Sequence, residues 1–424
     1  MHRGPLYGAG PFFFLEIPMR ANPTSMVRWF SGLALAASLA SLPGCGQGSY
    51  TREHVSQAQA KLDTMKSATE HDMARQAYFA GNFREALERV DRSIAINDQV
   101  ARSYVLRGRI LIETGELDES LVSLKQGAEL DAENVEAQYY LGVVYERLGE
   151  LDDALSHYRR AAELDPSDAQ YAVAAAEVMI DQDSADEAET YLLSFPTYEH
   201  NAGVRQTLGH IATMRGDHAR AATMLGEARL LAPDDEDILE DLARAQVSTG
   251  NFREAETNLS RLLKTPERRA SRRDLVHMHA RCLAQLKRYT EARDSYLSLV
   301  ESDEGAGDVD AWIGLGNVAC ILKDPLRHRA AATRIMALAP DREEGYLLRA
   351  LWHQRRGEPE EAIKWLDEAS RHVARPVSAL TMKGVILKEL GRADEAREAL
   401  AAALRANPQD RTLAALVESL DSAD

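Results

Sequence analysis

The sequence predicts an all-α chain: a stack of about ten helix-turn-helix units closed by one further helix at the C-terminal end. Three observations predict it. A Gly followed by a polar residue, with a small residue five positions after the Gly, recurs in one register, and Gly81, Gly115 and Gly149 stand 34 residues apart. Pro166, Pro233, Pro340 and Pro408 each fall 17 residues after such a turn position. Between these marks the apolar residues recur at spacings of three and four, the stripe of an amphipathic helix.

The turns come in order as Gly81-Asn82 with Ala86, Gly115-Glu116 with Ser120, Gly149-Glu150 with Ala154, Gly216-Asp217 with Ala221, Gly250-Asn251 with Ala255, Gly357-Glu358 with Ala362, and Gly391-Arg392 with Ala396. Asp183, Lys287 and Lys323 hold the same place in units without the Gly. A first helix ends at the Gly, which adopts the left-handed cap conformation without steric cost. The second helix runs until a Pro or a polar pair stops it. In the unit 135–168, Gly142, Ala154 and Ala161 lie where the helices must cross closely, and Leu141, Tyr145, Leu151 and Tyr158 fill the gaps between them. One such pair cannot bury its apolar face alone, but stacked pairs can, so 424 residues need not mean two or three globular domains.

This pattern closely resembles the tetratricopeptide-repeat family. Leu141-Gly142, Tyr145, Gly149, Ala154, Tyr158, Ala161 and Pro166 occupy the family's positions, and Trp312 with Leu315-Gly316, Ala319 and Pro340 matches the unit type that opens with Trp. The units fall at 67–100, 101–134, 135–168, 169–201, 202–235, 236–269, 273–306, 309–342, 343–376 and 377–410, with N-terminal units over 67–235 and C-terminal units over 236–410. The resemblance implies a right-handed superhelical solenoid. Residues 411–424 carry Leu413, Leu416, Val417 and Leu420 at helical spacing and read as a cap helix. Four features depart from the family pattern. Phe195-Pro196 should shorten a second helix, since Pro removes a backbone hydrogen bond. Three residues are inserted before 273, Pro325 sits in a turn, and His328 stands where a small residue is usual.

Apolar residues make up 45% of the chain and charged residues 28%, which fits neither disorder nor a bundle of membrane spans. The net charge is -17. Arg3, Arg20 and Arg28 against Glu16 give residues 1–44 a net +2, leaving -19 for the remainder. So acidic a chain repels phosphate backbones, and nucleic acid is not expected as a partner.

Residues 1–44 read as an export signal. Arg28 precedes a short apolar run, Trp29 to Leu42, shorter than a membrane span. The run ends Leu42-Pro43-Gly44-Cys45, which resembles the bacterial lipoprotein signal although Pro43 is unusual at its position. The resemblance implies cleavage before Cys45 and its acylation, and with Gly46 rather than Asp next, the periplasmic face of an outer membrane. A plain cleaved signal, with a periplasmic or secreted product, and a short uncleaved anchor are the alternatives. Met19 and Met26 both stand where a signal of ordinary length would begin, so residues 1–18 read as a misassigned start. Residues 45–66 read as a polar tether, Gly46-Gln47-Gly48-Ser49, and a lead-in helix with Val55, Ala58, Leu62 and Met65 on one stripe.

Candidate chemistry is sparse. Gly314-Leu315-Gly316-Asn317-Val318-Ala319 resembles a dinucleotide fingerprint but lies in the register of a first helix, not after a strand. His279 and Cys282 share a helix face while His277 points away, and two ligands do not close a zinc site. One packed His, one surface His and one buried Cys are expected there. Cys282 and Cys320 read as small buried apolar residues, or as a pair able to form a disulfide in an oxidising compartment. Arg268, Arg269, Arg272 and Arg273 read as an anion-docking patch or as a solvated loop between repeats. Asp234-Asp235-Glu236-Asp237 sits at a helix start, where carboxylates offset the helix dipole. No catalytic residue, cofactor, metal or small-molecule substrate is expected, and the chain is not read as an enzyme.

The resemblance implies that first helices line a concave groove holding a protein or peptide partner. The groove candidates are Tyr78, Phe79, Val105, Leu106, Arg109, Tyr139, Tyr140, Val143, Val173 and Glu177, then charged Glu240, Asp241 and Arg244, then Leu347, Leu348, Leu351, Met382 and Val385. Tyr139 and Tyr140 fit equally well between neighbouring helices. Of the Lys and Asn set with which some family members clamp a C-terminal carboxylate, only Asn317 is matched. The function expected is a lipid-anchored envelope scaffold for a secretion, pilus or polysaccharide-export complex. A soluble exported regulatory adaptor and a substrate-recognition subunit of a separate enzyme are the alternatives.

Overall fold

The computed structural model describes residues 49–195, 198–302 and 305–421. The export signal, Cys45 and Pro196 lie outside the described residues. Two units are distinguished, residues 1–61 and 62–424. The described part of the first is the start of helix α1 (Ser49–Phe79), whose end belongs to the second unit. After it come α2 (Phe83–Ile96), α3 (Ala101–Thr114), α4 (Leu117–Leu130), α5 (Val135–Leu148), α6 (Leu151–Leu164), α7 (Gln170–Asp181), α8 (Ala185–Ser194), α9 (Ala202–Met214), α10 (His218–Leu231), α11 (Glu236–Ser248) and α12 (Phe252–Leu262). The chain continues with α13 (Pro266–Ser271), α14 (Arg273–Gln285), α15 (Tyr289–Val300), α16 (Val309–Ile321), α17 (Pro325–Leu338), α18 (Glu344–Arg355), α19 (Pro359–His372), α20 (Val377–Glu389), α21 (Ala393–Ala406) and α22 (Arg411–Asp421). Among the described residues there is no strand. From α2 onward consecutive helices pack on one another, with α12 packing on α14 past the short α13, giving the antiparallel pairs of a solenoid.

One contact recurs through most of the pairs. A small residue on the first helix lets a large residue on the second lie against its backbone: Gly108 with Leu124, Gly142 with Tyr158, Gly209 with Leu225, Gly384 with Leu400. A methyl placed on Gly142 would lie 2.6 Å from the Tyr158 ring, and one on Gly108 would lie 2.5 Å from Leu124 Cγ. Ala176 with Leu192, Ala243 with Leu259 and Ala350 with Leu366 repeat the register, all fully buried. Truncating one of these leucines to Ala would cost about 2–5 kcal/mol, since the rigid helix pair cannot collapse into the space.

The turn between the helices of a pair is a left-handed cap. At Gly149 (φ 79°) the Gly amide donates to the Glu146 carbonyl and the Glu150 amide to the Tyr145 carbonyl, both at 2.9 Å. Asp183, Lys287 and Lys323 adopt the same conformation, with φ of 58°, 62° and 58°. Their hydrogen bonds match: the Lys287 amide donates to Ala284 and the Arg288 amide to Leu283. The units without Gly therefore keep the turn and carry its strain.

The departures from the repeat take local forms. Helix α8 stops at Ser194, before Phe195-Pro196, and is ten residues long where α6 has fourteen. Pro325 takes the first turn of α17, where its missing N–H costs nothing, behind the Asp324 side-chain cap. His328 is buried, with no partner for Nε2. Residues Pro266–Ser271, the end of one unit and the start of the insertion, form α13, a helix the sequence pattern does not announce. Gly314 and Gly316 lie inside α16, not in a phosphate loop. Leu413 is buried, and Leu416 and Val417 pack on the last core cluster, so α22 closes the stack. The lead-in helix forms, but Val55, Leu62 and Met65 of its stripe are exposed.

Cys282 and Cys320 are both free and buried. Burial pushes the Cys282 thiol up to about 11, so it is an inert packing group. His277 and His279 are both half-buried, where one packed and one surface His were expected: His277 packs edge-on to Tyr296, and His279 meets Glu256 and Ser260. The arginines of this cluster are engaged within the chain. Arg268 pairs with Glu236 (2.5 Å), Arg272 with Glu240 (2.6 Å) and Arg273 with Asp308 (3.2 Å), while Arg269 donates to the Leu263 and Lys264 carbonyls. Arg268 ties α13 to the start of α11, Arg272 ties the residue after it to α11, and Arg273 ties the start of α14 to Asp308 ahead of α16. Asp235 caps α11, accepting from the amides of Asp237 and Ile238.

A left-handed non-glycine costs about 1–2 kcal/mol, part of which glycine returns as added freedom in the unfolded chain. Lys287→Gly and Lys323→Gly should therefore each raise stability by about 0.5–1 kcal/mol, and Asp183→Gly by less, because Asp tolerates the left-handed region better. Urea midpoints of the three variants check this, and a lower midpoint for Lys287→Gly would contradict the strain.

Candidate binding groove

First helices of successive pairs also touch one another directly, as α3 with α5, α7 with α9 and α16 with α18, more than the second helices do. First helices therefore line the inner side of the stack. At its N-terminal end an aromatic cluster is built around Arg109 on α3. The guanidinium lies 5.1 Å from the centre of the Tyr78 ring and 4.8 Å from that of Tyr140, and 3.7 Å from the Glu136 carboxylate. Residues from α1, α3 and α5 are thus joined through one cation held between two rings. Tyr139 continues the cluster edge-on to Tyr140 and Tyr171, and tilted against Tyr158. Burial raises the pKa of Tyr140, so its hydroxyl stays a donor. Phe79, 68% exposed, lies edge-on to Tyr78 and offers its ring to solvent.

Several groove candidates are placed otherwise. Val105 and Leu106 are 1% and 4% exposed, and Leu348 is 2% exposed. They face neighbouring helices and present nothing to a partner. Leu348 has a particular reason: where other units hold a large residue, α17 has Ala332, and Leu348 from the next helix fills the space beside Gly316. Tyr139, Tyr140, Val143 and Val173 are half-buried, serving core and groove together. Leu347, Leu351 and Met382 are half-buried, and Val385 is exposed.

The middle of the groove is polar and internally paired. His210 Nε2 lies 2.7 Å from Asp241 Oδ2, which also accepts from Gln206 Nε2 at 2.8 Å. Arg244 bridges Glu240 (2.7 Å) and Asp274 (2.8 Å). The protein packed around the Glu177 carboxyl, with the charges of Glu146 and Asp181, holds it above the usual range, with His210 opposing. Charges from α5, α7 and α9 thus converge on it. Burial works against a proton on His210, but the hydrogen bond and charge of Asp241, aided by Glu177, outweigh it and raise its pKa. Burial works against the Asp241 charge too, but His210 and Gln206 outweigh it and lower its pKa. The sequence reading found Asp241 but missed His210 and Gln206, which only the stacking of α9 on α11 brings to it.

The sign of the pH effect follows. A histidine whose pKa is raised on folding adds stability below its unfolded value of about 6.5, and that stability is lost as pH rises through the folded value. Asp241, with its pKa lowered, adds stability above the ordinary carboxylate range and loses it as pH falls through the folded value. The pair therefore stabilises between those limits, in mildly acidic solution. Asp241→Asn should lower the His210 titration midpoint seen by NMR and destabilise the chain at pH 6 more than at pH 8. An unchanged midpoint would break the link between the two residues.

Among the described residues no group of His, Cys, Asp and Glu could hold a metal, and no helix is long and apolar enough to cross a membrane. A family model described as tetratricopeptide repeat matches residues 71–128, 106–169 and 347–411, and a second with the same description matches 212–275. No curated protein matches the sequence. Among solved structures the chain is similar to a thermophilic tetratricopeptide-repeat protein of Thermus thermophilus, at 21% identity and TM-score 0.36 over 43% of this chain and 99% of that one. It is similar to the tetratricopeptide-repeat domain of Arabidopsis OM64, at 20% identity and TM-score 0.28 over 28% and 98%. It is also similar to PilW, a widely conserved type IV pilus biogenesis factor, at 15% identity and TM-score 0.41 over 47% and 93%. These are likenesses of fold.

Proposed function

This chain belongs to the tetratricopeptide-repeat family, and from that premise we propose that it is a non-enzymatic scaffold, anchored to the bacterial envelope by a lipid on Cys45. In this reading it supports assembly of a secretion, pilus or polysaccharide-export complex. The observation that carries the interaction role is the groove of half-buried aromatics around Arg109, with Phe79 exposed beside it. Aromatic side chains and Arg supply most of the binding energy at protein interfaces, because they bury large areas with few rotors to freeze. An apolar or aromatic peptide segment fits this end, and the paired charges of the middle groove fix its register. What supports the anchor is the run Leu42-Pro43-Gly44-Cys45 ahead of a short polar tether.

Two measurements test the two halves. Wild type should fractionate with membranes carrying an acylated Cys45 by mass spectrometry, and Cys45→Ser should be released. A soluble wild type with unmodified Cys45 would favour the exported adaptor. Tyr140→Ala with Arg109→Ala should weaken capture of the wild-type partner by about thirtyfold, the effect of losing about 2 kcal/mol at one hot spot, with helical content unchanged. Retention of full affinity would move the binding surface out of this groove.

A further inference from the structure

A second surface lies off the groove, on the seam where α18 packs against α17. At three corresponding seams a basic side chain on the first helix is met by a carboxylate from the preceding second helix. Arg107 on α3 meets Asp91 on α2 at 2.9 Å, and Lys383 on α20 meets Asp367 on α19 at 2.5 Å. His279 on α14 meets Glu256 on α12 at 3.4 Å. Arg349 holds this place on α18. The preceding helix offers it Arg329 and Thr333, in the places that Glu256 and Asp91 hold on their own helices. Among the described residues Arg349 has no ion pair, and its buried Nε has no hydrogen-bond partner. Its guanidinium lies 5.1 Å from the centre of the Trp352 ring and 5.3 Å from that of Trp365. Arg356 covers Trp352 at 4.6 Å, and Arg356 shares Glu358 with His353.

We propose that this seam binds a carboxylate from an acidic peptide segment of a partner, seated between Arg349 and Arg329 beside Trp352. The fold itself supplies the argument for a carboxylate. Three equivalent seams are completed by Asp or Glu of this chain, and here the same geometry is built with the acid missing. Burial and the like charge of Arg329 lower the pKa of Arg349, the cost of a cation without its counter-ion. A carboxylate can accept from the planar guanidinium fork in bidentate fashion, and the two indole rings give the peptide an apolar surface on which to lie. The site is separate from the aromatic groove, so a partner could engage both.

The test uses the full chain and a fluorescently labelled oligo-glutamate peptide, followed by anisotropy at low salt, with an oligo-glutamine peptide as its uncharged counterpart. The glutamate peptide should bind, and the glutamine peptide should not. Arg349→Gln should weaken binding about tenfold, the range for losing one partner of a charge pair. Arg329→Glu restores the carboxylate from within, so it should raise the thermal midpoint and abolish peptide binding together. Equal binding of the two peptides, or unchanged glutamate binding in Arg329→Glu, would overturn the proposal. Displacement of the peptide by equimolar inorganic phosphate, or binding to phosphatidylglycerol vesicles but not to the peptide, would overturn it as well, by making the site a general anion or lipid site.

Discussion

The whole stack depends on the crossing of two helices at a residue too small to hold them apart. Gly142 under the Tyr158 ring, and Gly108 under Leu124, bring the backbones close enough for the second helix to bury its large side chain completely. With that distance set, the remaining apolar residues can interlock at the density of a protein interior. The one unit that breaks the rule shows how firmly it holds. Gly316 faces Ala331, two small residues together, and a void would follow if Leu348 did not enter from the next pair. A short side chain on one helix is answered by a long one on the neighbouring repeat. The seam between α17 and α18 is therefore packed differently from the others, and the same seam lacks its carboxylate.

The repeat was legible because its physics is local. A left-handed cap, a close crossing and a terminating Pro all leave marks at fixed spacing, and Asp183, Lys287 and Lys323 could be placed at the turn from their surroundings alone, before their positive φ was known. Surface assignment was less legible. Successive residues on a helix are about 100° apart, so Val105 and Leu106 cannot both share the groove face with Arg109, and both turn inward. Apolar identity does not separate a groove residue from a core residue when both faces of a first helix are apolar. The partners of the Arg268 to Arg273 cluster were also hidden. Glu236, Glu240 and Asp308 are about 30 residues away along the chain and become neighbours only through stacking.

The same stacking explains how a chain of net charge -17 holds together. Its arginines are placed where they join one repeat to the next. Arg147 donates to the Ile112 carbonyl at 3.0 Å, and Arg355 donates to that of Cys320 at the equivalent point, so the last carbonyls of one first helix are capped from the following one. Arg215 and Arg220 both engage Glu189 from the next pair. Individually such exposed pairs contribute little. Their value lies in position, since each adds to the interface between neighbours, the quantity that sets stability in a one-dimensional array.

Charge already satisfied within the chain is poor currency for binding, and this sorts the inner face into segments. Around His210, Asp241, Arg244 and Asp274 each ionised group has an internal partner, so a ligand there gains only what it takes from an existing bond. At the N-terminal end the opposite holds: Phe79 is exposed, and the Tyr78–Arg109–Tyr140 stack is half-buried with its rings already ordered. Covering those rings removes apolar surface from water without freezing new rotors. A partner would therefore take its affinity from the aromatic end and its alignment from the paired middle, where a misplaced charge would be repelled rather than rewarded.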